Sequence, residues 1–421
     1  MKEEMKKVAA WTAAAVLCGA CCCLEKAGVT ETVTEKTGAA IQRAIDRVAA
    51  AGGGRVIVPA GVYPSGSIRL RSHVDLHLEK DAVVRGGTKS EDYASFPEEV
   101  CAIKPENSTK VFLYAWDESD FAITGEGRFD GQGLAFFDTS ALKMGGRFFA
   151  KPPVERPRMV QLIRCRDFRF EGVTFWNSPC WTMLIRQCEN ILFDGIRVMA
   201  DLRIINSDGV DFETCRHVRV RNCTFRTGDD CFAIRAIRDD GSDEPAVTED
   251  VLVEDCTLCS ACQTIRMGCP SDDEIRDVTF RNIRATGNNG INFDYPARYL
   301  HPGNDGFMNI HDITFENFSG TFLARALRIC TESGVKIRGV RDVTFRNLNV
   351  TSAFPTQFKG NIYSKLERIR FDNVTVNDER QPDGCQPVDC TDAAPLKRID
   401  GWSWETRKTS VGNKGADSKK K

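Results

Sequence analysis

Four aspartates, Asp208, Asp211, Asp229 and Asp230, occupy two short windows of the chain. Carboxyl groups exchange protons with oxygen atoms, and several held close together cannot all ionise at one pH. One member then keeps its proton as a general acid while its neighbours stay charged as bases, the division of labour that hydrolysis of a glycosidic bond requires. A single aspartate on a solvated face, or one making a turn hydrogen bond as Asp208 and Asp229 can, needs no such use. Three at neighbouring levels of one fold cost repulsion that no structural purpose offsets. Trp176, Trp181 and Tyr295 stand nearby in sequence and offer flat faces for sugar rings, although each taken alone reads as core.

The windows come together only if the chain coils, and a recurring phrase says that it does. From residue 168 onward an alternating apolar pattern ends in Gly, Asn or Asp, with central apolar positions Phe170, Phe193, Val220, Val253, Phe280, Phe315, Phe345 and Phe371. Two residues earlier stand Phe168, Ile191, Val218, Val251, Val278, Ile313, Val343 and Ile369, the period-two signature of a strand with one buried face. Two residues later stand Gly172, Gly195, Asn222, Asp255, Asn282, Asn317, Asn347 and Asn373, the types that tolerate a left-handed bend. Strand, bend, strand, repeated every 23 to 35 residues, predicts an all-β fold, a parallel β-helix whose coils share one apolar core.

A second strand follows most copies: Met183 and Ile185, Val210 and Phe212, Phe232 and Ile234, Ile265 and Met267, Ile291 and Phe293, Leu327 and Ile329. Residues at equal offsets in successive coils lie about 4.8 Å apart. The position two before each first apolar residue reads Asp208, Asp230, Gln263, Asn289, Arg325, which stacks the carboxylates on one outer face with Asp211 and Asp229 beside them. Arg235, Arg266 and Arg328 alternate outward on the same strands, where they are solvated or hold an acidic sugar.

The remaining segments fit that architecture. Ala40, Ile41, Ala44, Ile45 and Val48 have helical spacing and are followed by Gly52 to Gly54, so a helix over 37–51 is expected to cap the first coil. Strands are expected at 55–59, 67–70 and 74–78. Residues 130–157 interrupt the repeat, and 238–250 and 298–309 swell two circuits; long loops on one edge of a solenoid wall a binding groove. Cys165, Cys188 and Cys215 fall five residues before their markers, and Cys223 and Cys256 three after theirs, which reads as stacked buried side chains. A zinc site at Cys256, Cys259 and Cys262 is disfavoured because no His is near, and Cys385 with Cys390 is the expected disulfide.

With 57 Lys plus Arg against 59 Asp plus Glu and a net charge of −2, the chain lacks the overall field of a nucleic-acid binder. The apolar run Val8 to Leu24 after two lysines reads as an export signal, 1–24, and Cys21 as a lipid-anchor site, with a plainly secreted leader and then an uncleaved apolar tail as the alternatives. The expected organisation is a single β-helix domain over 25–407 and a disordered tail over 408–421. The only membrane contact expected is through such an anchor, and the chain is expected to be a monomer.

At these residues the sequence resembles glycoside hydrolase family 28, the polygalacturonases and rhamnogalacturonases, over roughly 36–380. The likeness lies in the stretches 39–46, 52–63 and 125–133, and above all in Asn206-Ser-Asp-Gly209 and Gly228-Asp-Asp-Cys231. It implies a right-handed parallel β-helix with an N-terminal capping helix. It also implies single displacement with inversion, with Asp229 as general acid and Asp208 with Asp230 activating water. No cofactor or metal is implied.

Two positions depart from the family. Gln263 stands where the family has a His, and Asn292 and Asp294 stand where it has the Arg and Lys that hold a galacturonate carboxylate. The expected substrate-binding set is Asp211, Arg235, Gln263, Arg266, Asn292, Asp294 and Arg328. The expected activity is hydrolysis of a pectin-related polysaccharide or its side chains other than plain polygalacturonate, by an exported bacterial enzyme. The alternatives are a polysaccharide lyase on the same solenoid, with a Lys or Arg base and Ca²⁺, and a non-catalytic glycan-binding solenoid.

Overall fold

The computed structural model describes residues 28–100, 108–143, 146–238, 244–268, 271, 273–295, 308–332, 335–360 and 364–377, excluding the side chain of Asp294. The leader, the Cys385 and Cys390 pair, the tail and parts of both swollen circuits lie outside the described residues.

Each turn of the chain lays down three short strands at angles to one another, and every strand pairs in parallel with its counterparts one coil away. Among the described residues, twenty-seven strands join in this way into one continuous sheet, a right-handed parallel β-helix. The first face carries Arg158–Ile163, Met183–Arg186, Val210–Glu213 and Phe232–Arg235; the second carries Arg166–Glu171, Glu189–Asp194 and Arg216–Arg221. The third carries Arg128–Asp130, Thr174–Trp176, Arg197–Met199 and Thr224–Thr227. From Thr257 onward single long strands turn the corners themselves.

The eight marker residues stack in register from Phe170 to Phe371. Ring centroids of Phe315 and Phe345 lie 5.4 Å apart with planes inclined by 11°, and the same spacing recurs between Phe345 and Phe371. Every residue of the expected bend column has positive φ, from 51° at Asn347 to 75° at Gly172. Their amides bond up the stack, Asn317 to Asn282 at 2.8 Å, Asn347 to Asn317 at 3.0 Å and Asn373 to Asn347 at 2.9 Å. A second left-handed column, Asp167, Asn190, His217, Asp250, Asp277, Asp312, Asp342 and Arg368, opens each second-face strand.

Helix α1, Gly38–Ala50, lies over the first coil with Ile41, Ala44, Ile45 and Val48 buried. Thr37 Oγ1 accepts from Ala40 N at 3.2 Å to start it, and Gly52 and Gly53, at φ 94° and 114°, turn the chain out of it. Strand Val29–Thr32 precedes the helix and pairs with Gly54–Val58, an element the sequence pattern does not announce. The cysteines stack as expected: Cys165 N donates to Cys188 Sγ at 3.3 Å. The Cys256 and Cys259 thiols pack in separate places, so no cysteine zinc site forms from that run.

Candidate active site

The chain reaches the first face twice through a tight loop, and each loop delivers an aspartate. Asp208 O accepts from Thr182 N at 2.9 Å and Gly209 N donates to Asp230 O at 2.8 Å, which puts Asp208 and Asp230 one coil apart. Arg156, from the excursion, is buried beneath the first loop and donates to Pro179 O at 2.8 Å, Ile205 O at 2.7 Å and Asn206 Oδ1 at 3.2 Å. Ser207 Oγ accepts from Gly228 N at 2.9 Å and so ties the two loops together. Only glycine fits at 228, where a Cβ would stand 2.1 Å from Ile204 O. The Asp229 carbonyl accepts from Thr227 Oγ1 at 2.6 Å and Ser260 Oγ at 2.7 Å. Those bonds fix its backbone and leave its side chain partly exposed, beside Cys262.

Asp208, Asp211 and Asp230 are buried, whereas Asp229 is partly exposed. Burial pushes Asp208 well above the ordinary carboxylate range, and repulsion from Asp229, Asp211 and Asp230 adds to it. Asp230 rises to about 7 by burial, against the pull of Arg266 at 3.3 Å. Asp211 also rises to about 7 by burial, opposed by Arg235 at 2.9 Å, an ion pair without hydrogen-bond alignment. Oδ2 of Asp208 and Oδ1 of Asp230 are buried without any hydrogen-bond partner. The cluster therefore holds protons in common near neutral pH.

Arg235 lies on the outer face, as its alternation suggests, but is covered rather than solvated. Its side chain is 5 % exposed, pairs with Asp211 and with Glu213 at 3.3 Å, and lies 4.8 Å from the Trp181 ring centroid. Arg158 lies at the same distance from that ring, so a wall of side chains covers this part of the outer face. Trp181 and Tyr295 are buried; Trp176 lies partly exposed on the third face.

Farther along the first face, the register shifts between Ser260 and Gln263. That irregularity brings the Cys262 sulfur within 4.8 Å of an Asp229 and an Asp230 oxygen. Three such ligands resemble half of a cation site, yet burial and the neighbouring carboxylates push the thiol well up, which works against the thiolate a metal needs. Gln263 Nε2 donates to Cys262 Sγ at 3.3 Å and Asn292 Nδ2 to Gln263 Oε1 at 3.1 Å. Arg266, Asn292 and Arg328 stand in one column, and Arg328 Nε donates to Gln357 Oε1 at 3.1 Å. Asp294 follows Asn292 in the same strand, with its side chain outside the described ones. Arg147, carried by the antiparallel ribbon Leu142–Lys143 and Phe148–Phe149, donates to Ala261 O at 2.6 Å. Sequence reasoning missed Arg147 and Arg156, took Ser207 only as part of the Asn206–Gly209 motif and weighed Cys262 only as a zinc ligand; each of the four sits in a loop or at a bulge.

Residues 53–240, which include all four aspartates, match glycosyl hydrolases family 28. A probable polygalacturonase of Vitis vinifera is 30% identical over 253 residues, 56% of this chain and 48% of that one. A polygalacturonase of Medicago sativa is 24% identical over 327 residues, 68% and 72% of the two chains. The chain spans about half the length of the Vitis vinifera and Juniperus ashei relatives it matches. Among solved structures, an exopolygalacturonase from Thermotoga maritima superposes with a TM-score of 0.59 at 23% identity, covering 84% of this chain and 93% of that one. The polygalacturonase from Erwinia carotovora gives 0.62 at 18%, covering 83% and 96%, and both share the fold. The coiled repeat, the two aspartate loops and the matched span of residues 53–240 together make this chain similar to glycosyl hydrolases family 28.

Proposed function

We propose that the protein hydrolyses a glycosidic bond in a pectin-related polysaccharide or its side chains. The observation that carries this reading is the contrast within the cluster: one partly exposed carboxyl group, Asp229, beside the buried and proton-sharing Asp208 and Asp230. Asp229 gives its proton to the leaving oxygen as the bond to the anomeric carbon breaks. Water attacks that carbon from the opposite face, and the Asp208 and Asp230 pair takes up its proton. The configuration at the anomeric carbon inverts. Arg266 favours the ionised form of Asp230 and so prepares the pair to accept that proton.

Plain polygalacturonate is a poor substrate in this reading. A buried uronate carboxylate needs a cation, because an unpaired buried charge costs several kcal/mol. Arg235 is already committed to Asp211 and Glu213, and Asn292 is hydrogen-bonded to Gln263. A neutral or deoxy sugar finds hydrogen-bonding groups there instead.

The test is a polysaccharide panel read by new reducing ends and by absorbance of unsaturated products, with and without EDTA. New reducing ends of inverted configuration by NMR, insensitive to EDTA, are expected. Unsaturated products would establish a lyase, and retention on the glycan without any product would establish a binding protein.

A further inference from the structure

Trp176 is the one aromatic of the three near the aspartates that lies partly exposed, and it sits on the third face. It lines a cleft of about 290 Å³ with Asp81, Glu126, Arg128, Thr174 and Met199. Val83, Arg128, Thr174 and Arg197 stack in register there, so the cleft runs across four coils. The Arg128 guanidinium carbon lies 6.0 Å from the Trp176 ring centroid.

Four polar side chains of this cleft are uncommitted. Among the described residues, the side chains of Asp81, Glu126, Arg128 and Thr174 make no hydrogen bond or ion pair, and Arg128 Nε is buried without a partner. Neighbouring outward arginines behave otherwise: Arg85 lies 3.8 Å from Asp130, and Arg221 lies 2.8 Å from Asp194. A buried donor without a partner costs free energy, and a ligand that accepts from it recovers that cost. An indole plate ringed by donors and acceptors matches a pyranose, which presents C–H groups on its face and hydroxyls around its edge. Two carboxylates and two guanidinium groups line the cleft, so it carries no net charge and selects hydroxyls over an anion.

We infer that this cleft is a second glycan-binding site, holding one neutral pyranose of a polysaccharide chain against Trp176. The inference rests on the reading that the protein acts on glycans, but it concerns a face other than that of the aspartates. A neutral sugar held there would anchor the polymer while another stretch of it crosses the first face.

Affinity electrophoresis of the full chain in gels containing β-galactan, xyloglucan or polygalacturonate tests it, alongside hydrolysis rates on short soluble oligosaccharides. The neutral glycans should retard the protein. Trp176→Ala and Arg128→Ala should each weaken that retention at least tenfold, with unchanged turnover of short oligosaccharides and unchanged thermal unfolding. Retention by polygalacturonate alone, retention unaffected by both substitutions, or equal loss of short-oligosaccharide turnover would overturn the site. Retention without hydrolysis would support the cleft while removing the proposed activity, and hydrolysis without retention would do the reverse.

Discussion

Asp229 differs from Asp208 and Asp230 in exposure, and the consequences of replacing them differ accordingly. Asp229→Asn should lower turnover about a hundredfold or more, the scale of losing a general acid, with little change in thermal unfolding. Asp208→Asn and Asp230→Asn should be similarly inactive, and the double variant no worse than either, because groups acting as a unit fail together. Losses that multiply would show independent groups. The buried carboxyls also set a pH trend in stability. Asp211 and Asp230 move from 3.8 to about 7 on folding, so their favourable contribution is complete below about pH 4 and is lost as pH rises through about 7. Melting temperature should therefore fall across that interval more steeply than in Asp208→Asn, which removes the raised titration of Asp208 itself; parallel curves for the two proteins would contradict the cluster electrostatics.

Bends and alternation carry the elements. The Asn, Asp and Gly column was legible because few residue types tolerate a left-handed conformation, and all eight positions adopt it. The second column escaped notice because His217 and Arg368 sit among its Asp and Asn residues and blur the pattern. Alternation placed Arg235 on the outer face correctly but could not show that Trp181 covers it, since that contact depends on the path of the chain between strands. The place of Cys262 beside Asp229 and Asp230 was hidden for a related reason: one register shift changes which side chains face the site, and composition does not reveal where it falls. Arg235→Met should cost about 3–5 kcal/mol in urea unfolding by stranding buried Asp211 and Glu213. Asn317→Ala should cost about 2–4 kcal/mol, combining left-handed strain with two lost amide bonds, whereas Asn317→Gly should spare the strain. Equal losses for the two Asn317 variants would show that conformation contributes nothing there.

At the scale of the whole molecule, the solenoid separates two surfaces. The first face gathers the carboxylates, while the third carries the Trp176 cleft. Substrate preference follows from the first: unsubstituted polygalacturonate should be cleaved at least tenfold more slowly than a neutral or rhamnose-containing polymer, measured as kcat/KM. Rapid cleavage of polygalacturonate, undiminished in Arg266→Ala and Arg328→Ala, would show that the missing cations are irrelevant.

The stacked markers have a further consequence for how the chain finds its shape. Asp277-Val-Thr-Phe280, Asp312-Ile-Thr-Phe315 and Asp342-Val-Thr-Phe345 are nearly interchangeable phrases, and each pairs with its neighbour in the same register. A coil that docks one level too far meets almost the same partners, so the energy gap between correct and skipped stacking is narrow in this stretch. Refolding there should pass through long-lived mispaired states that the varied upstream coils avoid, and the C-terminal coils should be the last to reach their final neighbours.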